Sequence, residues 1–316
     1  MLYVAGWVRS GSTFLAHLLG ELDGFFAGGE LAYAWKRGFE NDNPCGCGAS
    51  FRACPFWSAA VREAFGGHSE VDAALLERVH ARLLPARTLL SPLFRRRVAD
   101  ADLTAYRHAV ERLYHAAART AGARVLVDTS KTPTHLDVLT SIPSLDVTIL
   151  HLVRDPRAIA YSQRHRTRTM GPAASGALYS AWHALTELRC GRGAGYLRLR
   201  YEDFCAHPRA AVRTILDRLG EPGDLSCFAG ERELLLRPSH MFSGNQNRFR
   251  SGRVAVSEDD EWVWSLPRRE AALVVALAWP LMARYGYPLR RPSRRAALAR
   301  AARSAASEST IMRSSP

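Results

Sequence analysis

Gly6-Trp7-Val8-Arg9-Ser10-Gly11-Ser12-Thr13 has the G-x4-G-x-[ST] spacing of a phosphate-cradling loop. It stands where such a loop must, between an apolar run at 2–6 that reads as a strand and an apolar run at 12–22 that reads as a helix. In that setting successive backbone N–H groups and the helix N-terminus converge on the oxygens of one anion. A nucleoside triphosphatase places Lys after the second glycine to reach the outer phosphates, whereas this chain has Ser12 there. The basic group is instead Arg9, inside the loop, whose guanidinium can fork onto a phosphate or sulfonate. The apolar run Ile149-Leu150-His151-Leu152-Val153 leads into Arg154 rather than into an acidic residue that could hold magnesium in the Walker B manner. The loop suits a donor whose transferred group carries less charge than a terminal phosphate. A plain Gly/Ser turn joining strand to helix has the same spacing.

Outward from the loop, short apolar strands alternate with helices. Strands are expected at 124–127, 147–153 and 196–199, and helices at 30–39, 132–139, 156–165, 173–190, 208–219 and 267–285. This alternation predicts an α/β fold, a three-layer P-loop-like domain with a central parallel sheet covered on both faces. Residues 56–122 read as helical without a strand, with Asp72 and Thr104 as helix-start candidates and Pro85 and Pro92 as interruptions. They are expected to form a helical insertion that shapes an acceptor pocket. The stretch 239–258 is polar and rich in Gly, Arg and Asn, and reads as a loop. One domain over 1–288 is expected, followed at 289–316 by an Arg/Ala/Ser-rich basic tail that reads as solvated and flexible, with a membrane-surface or partner contact as the other use of its charge.

Val153-Arg154-Asp155-Pro156-Arg157, continuing to Tyr161-Ser162, closes a strand and opens a helix with Pro in its first turn. Arg154 at the strand end and Ser162 two turns into the helix can meet on a second anion. A strand-end ion pair and a surface serine are the bland alternative. Two such sites on successive strands together call for a 3′,5′-bisphosphorylated nucleoside. At this point the chain resembles the sulfotransferases that use 3′-phosphoadenosine 5′-phosphosulfate (PAPS). Arg9-Ser10-Gly11-Ser12-Thr13-Phe14-Leu15 is similar to their 5′-phosphosulfate loop, and R-D-P-R-x4-S at 154–162 to their 3′-phosphate site. The resemblance implies PAPS as co-substrate without a metal. It implies that Arg9, Ser10, Gly11, Ser12, Thr13 and Phe14 hold its 5′ end, and that Arg154 and Ser162 hold its 3′-phosphate. Arg248, Arg250 and Gly252, in a late Arg/Gly loop, are similar to the segment that closes over the nucleotide.

Sulfuryl transfer needs a base for the acceptor proton and positive charge on the departing phosphate. Glu30, in Gly28-Gly29-Glu30-Leu31, follows the first helix after a short Gly-containing turn, which returns it to the mouth of the loop. It resembles the Gly-Glu pair whose Glu is the base in several carbohydrate, peptide-tyrosine and bacterial relatives; a helix-starting Glu is the alternative. Lys131, in Asp128-Thr129-Ser130-Lys131-Thr132-Pro133, sits where a third strand ends on the same sheet edge. It is similar to the Lys-x-Pro lysine of tyrosylprotein-type relatives that contacts the sulfuryl bridge. The assigned chemistry is therefore Glu30 as base, with Lys131 and Arg9 on the leaving oxygen. His108 and His135 lack the context of the histidine base used by another branch.

Cys45, Cys47 and Cys54 cluster, which leaves zinc, a disulfide and inert thiols open. The net charge of +13 fits nucleic acid, a membrane surface or a small polyanion. Only Lys36 and Lys131 of the 43 basic residues are lysine, which fits a GC-rich coding bias as well as a selected arginine surface, so no specific nucleic-acid partner is expected. A P-loop kinase-like phosphotransferase and a basic nucleic-acid or membrane-binding protein are the rival functions. The acceptor class stays open among carbohydrate, lipid, peptide tyrosine and small natural product. With no charged leader before the first strand and no run of the ~18 to 20 apolar residues that cross a bilayer, a cytoplasmic protein is expected.

Overall fold

The strand β1, Leu2–Gly6, is buried at every position, and its side chains alternate between two separate cores. Tyr3 and Ala5 point into one, Leu2 and Val4 into the other. A strand apolar on both faces must be central in a sheet covered on both sides. The computed structural model, which describes residues 1–83, 100–190 and 195–291, has this arrangement. Strands β2 (Phe25–Gly29), β3 (Val125–Lys131), β4 (Thr148–Val153) and β5 (Tyr196–Arg200) join β1 in the order β2-β3-β1-β4-β5, all parallel.

One face is covered by α1 (Ser12–Leu19), α8 (Tyr201–Ala206) and α9 (Pro208–Leu219). The other carries α2 (Pro55–Phe65), α3 (Ala73–Leu83), α4 (Asp100–Thr120) and α5 (Pro133–Thr140). Beyond β4 come α6 (Pro156–Tyr161) and α7 (Pro172–Cys190), and α11 (Arg268–Arg284), which follows the short α10 (Trp262–Ser265), packs with α7 over Trp7 and Val153. The fold is thus the three-layer P-loop-like α/β domain expected from the sequence. None of its described helices is long and apolar enough to cross a membrane.

Several local expectations change. Phe25–Gly29 forms the edge strand β2, so Glu30 is delivered by a strand end rather than by a turn leaving the first helix. Residues 30–39 are not an α-helix: Leu31–Tyr33 is a 3₁₀ turn and Ala34–Glu40 a π-helical one. Thr104 lies inside α4 and starts nothing, whereas the Asp72 carboxylate accepts from the Leu75 amide at the start of α3. Within 239–258, Gly252–Ala255 forms β7 and pairs antiparallel with β6 (Glu233–Leu236). Pro85, Pro92 and the tail from 292 onward lie outside the described residues.

β1 lies between β3 and β4, so the chain leaves it toward opposite sides of the sheet. In open parallel sheets this switch point forms the ligand crevice at the carboxyl ends of the strands. The register makes the crevice concrete, because Ala5 pairs with Lys131 and Gly6 with Leu152, two residues before Arg154.

Candidate active site

The crevice is a cavity of about 700 Å³. The loop after β1, Glu30 after β2, Lys131 at the end of β3 and Arg154 after β4 all line it. Gly11 caps α1 at a left-handed φ of 91°, and a Cβ there would meet the Tyr201 ring at 2.5 Å, so only glycine lets the loop pass this close to α8. Thr13 Oγ1 accepts from the Asn245 amide at 3.3 Å, which ties the loop to the segment after β6. Ser10 is fully buried, and its Oγ has no partner.

Glu30 is held from two sides. Its Oε1 accepts from Lys131 Nζ at 2.6 Å and its Oε2 from Arg37 at 2.7 Å, while Ser243 Oγ lies 3.4 Å from Oε2. Lys131 Nζ also donates to the Thr129 carbonyl at 2.7 Å. Burial pushes the Glu30 carboxyl up, but Lys131 and Arg37 together outweigh it and hold the group below its ordinary range. Glu30 is therefore ionised. Lys131 does not pair with Asp128, whose carboxylate is taken by Tyr114 and by the Ser130 amide and hydroxyl. His135 is sealed in the core against Tyr114, and His108 is on the surface.

The two anion motifs meet. Arg9 Nε donates to Ser162 Oγ at 2.9 Å, and Arg154 donates to the Arg9 carbonyl at 2.9 Å. The Arg154 guanidinium lies 4.4 Å over the Tyr201 ring and donates to the Asp259 carboxylate at 3.1 Å, a carboxylate that Arg166 also grips at 2.8 Å. Burial, then the like charges of Arg154 and Arg166, push the Arg9 guanidinium below its usual pKa. Arg154 and Arg166 share the Asp259 carboxylate with Arg9 close by, and this excess of guanidinium charge makes a site electrostatically suited to further negative charge. Arg157 takes no part, since it is buried against Asp155 and Trp262.

The late loop divides. Arg250 reaches the cavity wall, as do Asn245 and Asn247. Arg248 does not, because it spends its donors on the carbonyls of Gly244, at 2.8 Å, Asn245 and Pro44. Gly252 opens β7 and is also outside the lining. Among the described residues none of 56–122 lines the cavity. The described helices of that block turn their apolar stripes to the core and meet the site through neighbours, as where His80 meets the Tyr33 ring edge-on at 5.5 Å.

The residues not foreseen are Arg37, Trp182, Tyr201, Ser243 and Asp259. Arg37 had a weak signal, its position two helical turns after Glu30; the others arrive from distant segments. Trp182 packs edge-on to Trp7 at 4.9 Å and donates to the Lys131 carbonyl at 3.2 Å, giving the cavity an aromatic wall beside the Lys131–Glu30 pair. Arg9 and Lys131, which line the cavity, and Ser243, which contacts Glu30 from behind it, adopt left-handed φ values of 66°, 69° and 63°. Strained non-glycine backbone gathered at one cavity is a mark of a functional site.

A family model described as the sulfotransferase family matches residues 2–224. Among solved structures the chain is similar to a sulfotransferase domain from the curacin biosynthetic pathway, at 16% identity and a TM-score of 0.51, over 92% of this chain and 98% of that one. It is also similar to the sulfotransferase domain of an olefin synthase from Synechococcus PCC 7002, at 20% identity and a TM-score of 0.49, over 92% and 95% of the two chains. At 16% identity the first likeness establishes shared fold. No curated protein matches the chain.

Proposed function

Because the chain belongs to the sulfotransferase family, we propose that it moves a sulfuryl group from PAPS to an acceptor hydroxyl or amine by in-line displacement, with Glu30 as general base. The observation that carries this reading is the Glu30–Lys131 pair, set in one cavity with the phosphate loop and with Arg154. The 5′-phosphosulfate lies against the amides of Gly11, Ser12 and Thr13, the Phe14 amide being given to the Gly11 carbonyl at 3.1 Å, with the Ser12 and Thr13 hydroxyls as further donors and the buried Ser10 supporting the loop. The 3′-phosphate is taken by Arg154 and Ser162. Arg250 closes over the nucleotide from the late loop.

Lys131 turns from Glu30 to the oxygen bridging sulfur and phosphorus. That movement releases Glu30 Oε1 and raises its basicity, since its nearest cation has left. Glu30 then takes the acceptor proton as the acceptor atom bonds to sulfur. The bond from sulfur to the bridging oxygen breaks, and 3′,5′-bisphosphoadenosine leaves with its new charge met by Lys131, Arg9 and the loop amides. These groups carry the charge compensation without a metal ion. The acceptor sits against Trp7, Tyr33 and Trp182, walls that suit a sugar ring, a tyrosine or an apolar natural product.

The test is transfer of label from sulfur-35 PAPS into a cell lysate and a panel of small hydroxylated compounds, with mass spectrometry of the product. Label is expected in a defined acceptor, and Glu30→Gln is expected to remove it. Transfer by Glu30→Gln at the unaltered rate would take the base's role from Glu30.

A further inference from the structure

The clustered cysteines gain a fourth member from far along the chain. Sγ of Cys54 lies 3.6 Å from that of Cys45 and 3.7 Å from that of Cys47. His240 Nδ1 lies 3.3 Å from Cys54 Sγ and 3.9 Å from Cys45 Sγ, and all four ligand atoms fall within 4.8 Å of one another. A tetrahedral zinc ion with Zn–S of ~2.3 Å and Zn–N of ~2.0 Å separates its ligand atoms by about 3.8 Å for sulfur–sulfur and about 3.5 Å for sulfur–nitrogen. The observed separations match those edges. A disulfide needs sulfurs about 2.05 Å apart and would use only two of the three thiols. Cys45, Cys47 and Cys54 are not joined by one. Four soft or borderline protein ligands closing a tetrahedron select zinc and leave no open position, the pattern of a structural rather than a catalytic ion.

The backbone is built for this set. In Cys45-Gly46-Cys47-Gly48 the Gly48 amide donates to the Cys45 carbonyl at 2.9 Å, a tight turn that aims both sulfurs to one side. A Cβ on Gly46 would strike Ser239 at 2.6 Å, so glycine lets the turn lie against the segment that brings His240. Cys54 caps the N-terminus of α2, where free amides and the helix dipole favour a thiolate. The imidazole of His240 is fixed by stacking on Phe56, with centroids 5.2 Å apart and planes 14° from parallel, and its carbonyl accepts from the Trp57 indole at 2.9 Å.

We propose that Cys45, Cys47, Cys54 and His240 bind one structural zinc ion that fastens the cysteine loop and α2 to the segment after β6. The consequence reaches the active site. Three residues beyond His240, Ser243 contacts Glu30 and Arg37, and Gly46 donates to the Met241 carbonyl at 2.9 Å. The ion holds in place the segment that closes one wall around the carboxylate.

Full-length protein purified without chelator is expected to carry about one zinc ion per chain and no iron by plasma mass spectrometry. His240→Ala and Cys47→Ser are expected to lose most of it, while Cys205→Ala keeps it. Should the ligand variants be insoluble, cobalt exchange into the unaltered protein is expected to give the ligand-field bands of a tetrahedral, sulfur-rich site, and a chelator is expected to expose three thiols to Ellman's reagent. Metal-free protein that takes up neither zinc nor cobalt, an intact mass showing a disulfide among these cysteines, iron in place of zinc, or full zinc content in both ligand variants would each overturn the proposal.

Discussion

Lys131 Nζ lies 2.6 Å from Glu30 Oε1, so the two groups assigned to the chemistry neutralise each other before any substrate arrives. Each must give up the other to act. Glu30→Gln is expected to lower kcat by about 10²- to 10⁴-fold, the usual worth of a positioned base, with the affinity for bisphosphoadenosine unchanged. Lys131→Ala is expected to lower kcat by about 10²- to 10³-fold, the usual worth of a donor on the developing charge. Steady-state kinetics alongside nucleotide titration separate the two effects.

The same pair dictates the pH dependence. Burial works against the charged carboxylate, but Lys131 and Arg37 outweigh it, so the folded-state pKa of Glu30 is below its unfolded value of about 4.3. Its ion pairs therefore contribute stability above about pH 4.3, and that contribution is lost as pH falls through the depressed folded value. For the rate, kcat/KM is expected to show no acid limb from Glu30 between about pH 5 and 8, because the free enzyme already holds the ionised form. In the donor complex Lys131 has moved, so the acid limb of kcat is expected at higher pH than that of kcat/KM. Coincident limbs would mean that Lys131 stays on Glu30.

Asp259 offers its carboxylate to Arg154, the guanidinium assigned to the 3′-phosphate. A bound phosphate competes with it. Asp259→Asn is expected to tighten bisphosphoadenosine binding several-fold, whereas Arg154→Ala weakens it by about 10- to 100-fold, in line with the loss of a charge-assisted hydrogen bond worth roughly 1.5–3 kcal/mol. Calorimetric titration of both variants decides the matter. Tighter binding by neither variant and weaker binding by Asp259→Asn would make Asp259 a support for the site rather than a competitor.

Arg248 gives the opposite expectation. Its guanidinium bridges the partly buried Gly244 and Asn245 carbonyls and the Pro44 carbonyl, so Arg248→Ala removes the charge-assisted donors that tie this loop together. A loss of about 1–3 kcal/mol in stability is expected, read as a lower Tm, with nucleotide affinity at saturating folded protein little changed. A large affinity loss without a change in Tm would return Arg248 to the nucleotide.

The parallel sheet was legible because β1, β4 and the first half of β3 are apolar runs, and Arg9, Lys131 and Arg154 stand at or just beyond the carboxyl ends of those strands. β2 was hidden by composition: Phe25-Phe26-Ala27-Gly28-Gly29 has two glycines and no β-branched residue, and it is a strand because the edge of β3 offers partners. The π-helical turn at 34–40 was equally hidden, since packing of Trp35 and Phe39 rather than propensity sets its register. Arg37 therefore emerged only with the fold. Arg248 and Arg250 share one motif, and only the loop's own carbonyls decide that the first is structural. His240 completes the cysteine set from 186 residues beyond Cys54, a distance no local spacing rule spans.

The most direct test of the nucleotide assignment is calorimetric titration of 3′,5′-bisphosphoadenosine into the full-length protein with magnesium omitted, repeated with Arg9→Ala and Arg154→Ala. Saturable binding that needs no magnesium and weakens at least tenfold in each variant is the expected result. No binding at millimolar nucleotide, or binding that appears only with magnesium and survives both substitutions, would contradict the account.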